Sequence, residues 1–336
     1  MKQVIFDKKN ILVIGGAGFL GSHLCDELIK ENKIICMDNF VTSSVDNIRN
    51  LMQNPNFEFI KHDFSKPFDF ENQQELKKFK VEFQGIQEIY NLACPTSVNK
   101  FKDLSIAILD ANSLMMKNVL ETTKKYNSRL VHLSSSVVYG PRKDETKFYL
   151  ENDSGDVDFT SERSCYDEGK RFAETMALTY QRHYELSIRI ARVFRTYGPR
   201  MLLNDGQMIP DFIINALDNK DIIIYGDQKF TTTLAYISDI VDGLIKIMEG
   251  DKNEIYNLGS DVIYTLEDVA KLVIQMTGSK SGIKYQDPKL FMTPLGKPDI
   301  KKVKQDLGWF PVTSLKHGLE KTIDYTRANK ILLSSK

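Results

Sequence analysis

The sequence predicts an α/β protein: a doubly wound parallel sheet followed by a smaller C-terminal α/β domain. Three observations carry that prediction. Strand-like and helix-like segments alternate from the N-terminus to about residue 195, the order that winds helices onto a parallel sheet. A glycine-rich turn joins the first strand to the first helix. Past Tyr197 the alternation breaks up at Gly198-Pro199, Asn204-Asp205-Gly206 and Pro210, which mark loops. The expected division is residues 1–195 for the sheet domain and 196–336 for the smaller one.

Taken in order, Ile11-Leu12-Val13-Ile14 is a short apolar run that reads as a buried parallel strand. Gly15-Gly16-Ala17-Gly18-Phe19-Leu20-Gly21 follows, and then residues 18–31 with apolar positions at helical spacing. Glycines at 15, 18 and 21 permit a tight strand-to-helix turn, close approach of backbone to a pyrophosphate, and close helix–strand packing. A diphosphate there lies at the positive end of the helix. Asp38 ends the next strand, Lys33-Ile34-Ile35-Cys36-Met37, about 20 residues beyond the glycines, where a dinucleotide site places its ribose-binding acid. No Arg or Lys lies between Asn39 and Asn47 to neutralise a 2′-phosphate, so NAD is expected rather than NADP.

Further strands are expected at 57–60, 88–92, 129–134 and 186–193, and helices at 105–126 and 164–184. In the second half, 201–220, 265–277 and 314–330 read as short helices. Segments near 222–226 and 254–258 are candidates to return to the main sheet. The helices 105–126 and 164–184 carry more apolar residues than one face needs, among them Leu114, Met115, Met116, Val119, Phe172, Met176, Leu178 and Tyr180.

Composition narrows the class. Lys+Arg 45 balances Asp+Glu 45, which argues against nucleic acid or an anionic membrane as the main partner. Cysteines 25, 36, 94 and 165 form no metal spacing, so reduced thiols, no metal and a cytoplasmic setting are expected. Met1-Lys2-Gln3 runs quickly into the first strand, and no apolar run approaches transmembrane length; neither a signal peptide nor a membrane span is expected.

Tyr166 and Lys170 lie one helical turn apart in Ser164-Cys165-Tyr166-Asp167-Glu168-Gly169-Lys170. A phenol, with a free pKa of about 10, becomes a useful base near neutral pH only if its phenolate is stabilised. A lysine four residues on the same helix face is expected to do that. With the dinucleotide turn, the pair suggests hydride chemistry on an alcohol.

Together these residues resemble the extended short-chain dehydrogenase/reductase superfamily, a Rossmann-fold group, and specifically its nucleotide-sugar-modifying branch. The resemblance also rests on Asp38-Asn39-Phe40, His62-Asp63-Phe64, Asn91-Leu92-Ala93, Ser134-Ser135-Ser136-Val137-Val138-Tyr139-Gly140, Tyr197-Gly198-Pro199-Arg200 and Lys297-Pro298-Asp299. Arg163-Ser164-Cys165-Tyr166-Asp167-Glu168-Gly169-Lys170-Arg171 and Asn204-Asp205-Gly206 look most like UDP-glucuronate decarboxylases. The resemblance implies an NAD cofactor and a nucleoside-diphosphate-sugar substrate. It gives Tyr166 as base toward the C4 hydroxyl, Lys170 as partner of the nicotinamide ribose, and Ser135 as binder of the same hydroxyl. Asp63 would contact adenine and Leu92 and Ala93 would line the cofactor; Phe19, Leu20, Asn39 and Phe64, with Tyr166 and Lys170, complete the expected cofactor set. Ser135, Ser136, Arg195, Thr196, Arg200, Tyr225 and Thr232 form the expected substrate set. Extended relatives pair two helices from each subunit into a four-helix bundle, so a homodimer through 105–126 and 164–184 is expected.

Two positions depart from the decarboxylases. Their catalytic glutamate stands where this chain has Val137, and an arginine where it has Thr232. Valine cannot transfer a proton, and threonine offers no fixed charge. The Asp-Glu pair of 4,6-dehydratases is likewise replaced by Ser136 and Val137. What survives is machinery for oxidation at C4, used by a C4-epimerase or a 4-dehydrogenase. Decarboxylation and a non-catalytic binding role remain the alternatives, with Arg195 or Lys229 as candidates for the missing charge.

Overall fold

Every residue of the run Asn10–Ile14 is buried, as a strand covered on both faces must be. In the computed structural model, which describes residues 8–226, 230–288 and 294–334, this run is an interior strand of a seven-stranded sheet. The strands are β1 (Asn10–Ile14), β2 (Lys33–Asp38), β3 (Phe57–Lys61), β4 (Glu88–Asn91), β5 (Arg129–Ser135), β6 (Ile188–Val193) and β7 (Ile255–Leu258). All pair in parallel, in the order β7-β6-β5-β4-β1-β2-β3. Ile14 stands beside both Met37 and Asn91, so β1, β2 and β4 end level. The winding reverses at β1, which opens a crevice at the carboxyl ends of these strands.

Alternate residues of β1 feed two cores. Ile11 and Val13 join Leu24 of helix α1 (Phe19–Leu28), and Leu12 and Ile14 join the layer holding Met116, Val119, Leu120, Ala173 and Ala177. Those residues belong to α3 (Leu114–Tyr126) and α4 (Ser164–Tyr184). The expected helix 105–126 is two helices: α2 (Ser105–Asn112) ends at Ser113, whose φ −123, ψ −79 is not helical. Met115, Met116 and Val119 are consumed by the chain's own core, and Met176, Leu178 and Tyr180 pack partly against it. Of the residues expected at a dimer contact, Leu114 and Phe172 stay exposed, at 53% and 52%.

The expected return of 254–258 to the main sheet is seen in β7, which pairs with β6 after helix Ile237–Glu249 has crossed over. Ile222–Tyr225 does not return. It pairs with Ile283–Gln286 in a separate two-stranded ribbon, alternating buried and half-buried residues instead of being covered on both faces. The expected helix 201–220 starts only at Met208, because Asn204 and Gly206 adopt positive φ of 58 and 79. Among the described residues no helix is long and apolar enough to cross a membrane.

Candidate active site

A cavity of about 410 Å³ opens at the carboxyl ends of β1, β2 and β4. Gly15, Gly18, Phe19, Leu20, Gly21, Asp38, Asn39, Asp63, Leu92 and Ala93 of the expected cofactor set line it. Asp38 closes the loop over it: its carboxylate accepts from the amides of Ala17 (3.0 Å) and Phe40 (2.9 Å) and from the Ser43 hydroxyl. Phe64 does not line the cavity. It is buried in the core against Phe70, with ring centroids 6.1 Å apart.

Ser135 is the last residue of β5 and Tyr166 lies in the first turn of α4, where the Ser135 hydroxyl is near enough to the phenol to favour its ionised form. Both face the first cavity and also a second, of about 390 Å³, lined by Ser136, Arg195, Thr196, Tyr225 and Thr232. The structure thus brings six of the seven expected substrate residues to one cavity that meets the first at Ser135 and Tyr166. The seventh, Arg200, lies on the other side. It lines the first cavity and pairs with Asp26 of α1 at 2.6 Å. Val137 is buried in the wall of the second cavity with Phe101 and Tyr166. Lys229 lies outside the described residues.

Lys170 shares a helix face with Tyr166, but its ammonium donates to the Leu133 carbonyl at 2.9 Å and it lines neither cavity. Burial pushes the Tyr166 phenol well above its ordinary range, and the nearby Cys94 thiol acts the same way. The Ser135 hydroxyl and the Arg163 charge pull it back. A side chain as long as lysine reaches the strand carbonyl across from the helix.

The sequence did not single out two further arginines of the second cavity. Arg163 pairs with Asp167 at 2.9 Å, and its guanidinium lies 5.6 Å from the Tyr166 ring centre. Arg142 grips Glu145 at 2.8 and 2.9 Å and donates to the carbonyls of Leu295 and Thr231. Arg163 had a usable signal, standing three residues before Tyr166; Arg142, in a loop, had none. Asp211, on the helix Met208–Leu217, also lines this cavity.

Residues 11–259 match the model of the NAD dependent epimerase/dehydratase family. The chain belongs to that family. It is 38% identical over 323 residues to UDP-glucuronic acid decarboxylase 1 of Arabidopsis thaliana, covering 96% of this chain and 70% of that protein. The UDP-glucuronic acid 4-epimerase of Bacillus cereus, solved with UDP-glucuronic acid and NAD, is similar in fold, with a TM-score of 0.81 at 26% identity, covering 95% of this chain and 99% of that one. The dTDP-glucose 4,6-dehydratase of Bacillus anthracis, solved with NAD, also gives a TM-score of 0.81 at 26% identity, over 96% and 98% of the two chains.

As in the rest of this epimerase/dehydratase family the cofactor is NAD, and the first cavity fits it. Two glycines are demanded by the polypeptide: a Cβ on Gly15 (φ +79) would fall 2.7 Å from the Ala93 amide, and one on Gly21 would fall 2.2 Å from the Gly15 carbonyl oxygen. Gly18 is different. A Cβ there would meet only Gly15 O, at 3.2 Å, so packing alone does not require glycine. Gly18 caps α1 without any side-chain hydrogen bond, so bare backbone and first-turn amides face the cavity, as a diphosphate needs.

Two groups beside the site make stability depend on pH in opposite directions. His23 of α1 donates to the Pro199 carbonyl at 3.0 Å, and burial, helped by the Arg200 charge, holds it down to about 4. An unfolded histidine titrates near about 6.5, so on acidification the unfolded chain takes the proton first and stability is lost between those values. Burial pushes Asp167 up to about 6, although Arg163 opposes it. Here the folded state takes the proton first, so stability is gained as pH falls from about 6 toward the unfolded value near ~4. In thermal melts from pH 7 to pH 5, His23→Gln should lose less stability than the wild type and Asp167→Asn more. Parallel pH slopes for all three proteins would contradict both assignments.

Proposed function

We propose that the protein oxidises a nucleoside-diphosphate sugar at C4, as a C4-epimerase or a 4-dehydrogenase. The observation that carries this reading is the placement of Ser135 and Tyr166 together at the junction of the two cavities, each lining both. NAD, when bound, accepts the C4 hydride and brings a positively charged ring to the site. Asp38 would hold the adenosine ribose, the α1 N-terminus the diphosphate, and Asp63 the adenine. Ser135 orients the C4 hydroxyl and Tyr166 takes its proton. The buried phenol needs positive charge nearby to act as a base; Arg163 supplies part of it. Lys170, which donates to the Leu133 carbonyl in this structure, would hold the nicotinamide ribose.

The similarity to decarboxylases supports a second reading, loss of carbon dioxide from a uronate. Against it stands Val137, an apolar wall where those enzymes have a glutamate. A third reading, binding without turnover, is disfavoured by the intact Ser135, Tyr166 and Lys170. UDP-, GDP-, dTDP- and CDP-sugars should be screened by absorbance near the NADH band, with products read by mass spectrometry. A 4-keto or C4-inverted sugar is the expected product. No absorbance change and no product with any of them would leave only the binding role.

The reading includes a homodimer through α2, α3 and α4, whose outer faces leave Ile106, Leu109, Leu114 and Phe172 exposed. Light scattering at micromolar concentration should give twice the chain mass of 38.5 kDa, and Phe172→Glu should shift it toward monomer. A wild-type monomer would rule the dimer out.

A further inference from the structure

Arg195 follows β6 and projects into the second cavity beside Arg142 and Arg163. The three guanidiniums repel one another: after burial, the charges of Arg163 and then Arg142 hold Arg195 down to about 10. Two of the three are answered. Glu145 grips Arg142, and Asp167 pairs with Arg163. Among the described residues no carboxylate pairs with Arg195. A partly buried cation held against two others, with no anion of its own, costs folding free energy and is explained by a ligand that completes it.

Position identifies which part of a sugar nucleotide that ligand group is. The reacting carbon must lie at Tyr166 and Ser135, where the cavities meet. Arg195 sits between Phe194 and Thr196, which line that same junction, and the Arg163 guanidinium beside it lies 5.6 Å from the Tyr166 ring centre. The cationic cluster is therefore at the end of the ring that reacts. The diphosphate hangs from C1, across the ring from C4, whereas the substituent on C5 is adjacent to C4.

We propose that Arg195 binds a carboxylate on C5, so that this site takes a nucleoside-diphosphate hexuronate in preference to a neutral hexose. The proposal rests on the C4-oxidation reading and names its substrate. The planar guanidinium matches a carboxylate with two parallel hydrogen bonds. The same contact protects the oxidised sugar. Loss of carbon dioxide from a 4-keto acid breaks the C5–carboxyl bond and moves its electron pair toward the ketone oxygen. Negative charge thereby leaves the carboxylate, and a cation fixed on that carboxylate opposes the shift. Arg195 thus joins Val137 in favouring retention of the carboxyl group.

The test is binding with NADH present, so that no hydride can be removed, using UDP-glucuronate, UDP-glucose and UDP as probes in calorimetry. The expected result is at least tenfold tighter binding of UDP-glucuronate than of UDP-glucose by the wild type. Arg195→Gln should erase that preference while changing the UDP-glucose and UDP affinities by less than about twofold. Arg195→Lys should retain part of it. Equal affinity for both sugars in the wild type, or binding of neither, overturns the proposal. An equal loss for all three probes in Arg195→Gln also overturns it, since that result assigns Arg195 to the diphosphate. Failure of C4 oxidation would appear instead with NAD, as a missing absorbance change, whatever the binding shows.

Discussion

Tyr166→Phe should remove hydride transfer from C4 almost completely while leaving NAD affinity within about twofold. The substitution deletes one oxygen and keeps the ring, which packs edge-on against Phe101 at a centroid distance of 5.8 Å and under the Arg163 guanidinium. Helix α4 should therefore hold its place. What disappears is the hydroxyl beside Ser135 where the two cavities meet. A sugar hydroxyl gives up its hydride readily only as its proton leaves, and no other described side chain bridges both cavities with a group able to take that proton. Single general bases contribute ~10²–10⁴-fold, and the upper end is expected here because alkoxide formation is the step that makes the hydride available. NAD should be indifferent, because the dinucleotide cavity rests on the glycine turn and Asp38. The measurement pairs single-turnover absorbance near the NADH band with an NAD titration. Turnover within tenfold of the wild type would move the base to another residue. Lost NAD affinity would make Tyr166 a holding group.

The parts of this site that the sequence reveals are those whose chemistry lies at local spacing. Gly15, Gly21 and Asp38 can be read because one strand, one turn and one helix force them together. Tyr166 and Ser135 can be read because each marks the start of a helix or the end of a strand. Arg142 is illegible for the opposite reason. Gly140, at φ +76, turns its loop, and the guanidinium is aimed by the carbonyls of Leu295 and Thr231, far along the chain. Lys170 shows the limit of helical spacing, since four residues bring a lysine near a tyrosine but do not choose its hydrogen-bond partner. Ile222–Tyr225 shows the limit of strand propensity, which identifies a pleated, half-covered segment but not the sheet it joins. The break at Ser113 has no composition signal. There Asn112 donates to the Ile108 carbonyl of its own helix at 2.8 Å and to the distant Cys94 sulfur at 3.4 Å.

With UDP-glucuronate and NAD, carbon dioxide should form at least ~10²-fold more slowly than the C4 hydride is exchanged, the low end of what one acid–base group contributes. The starting point is unfavourable to that outcome, because a 4-ketone makes the C5 carboxylate a β-keto acid, which loses carbon dioxide even unaided. Two features of this chain slow it. The wall position that holds a glutamate in the decarboxylases is Val137, only 3% exposed and packed with Phe101 and Tyr166. No proton can be delivered to C5 from there, so the enolate left by carbon dioxide has no acid at that point of the cavity. Among the described residues, the arginine of this cavity with no carboxylate paired to it is Arg195, and a carboxylate paired to it is stabilised as a carboxylate. The keto acid therefore returns to the alcohol, or leaves intact, before its carbon–carbon bond breaks. Labelled UDP-glucuronate, with evolved carbon dioxide counted against C4-inverted and 4-keto product, measures the ratio directly. Stoichiometric UDP-xylose or its 4-keto precursor, formed at rates ordinary for an enzyme, would overturn this partition. The site would then be a decarboxylase that works without the glutamate.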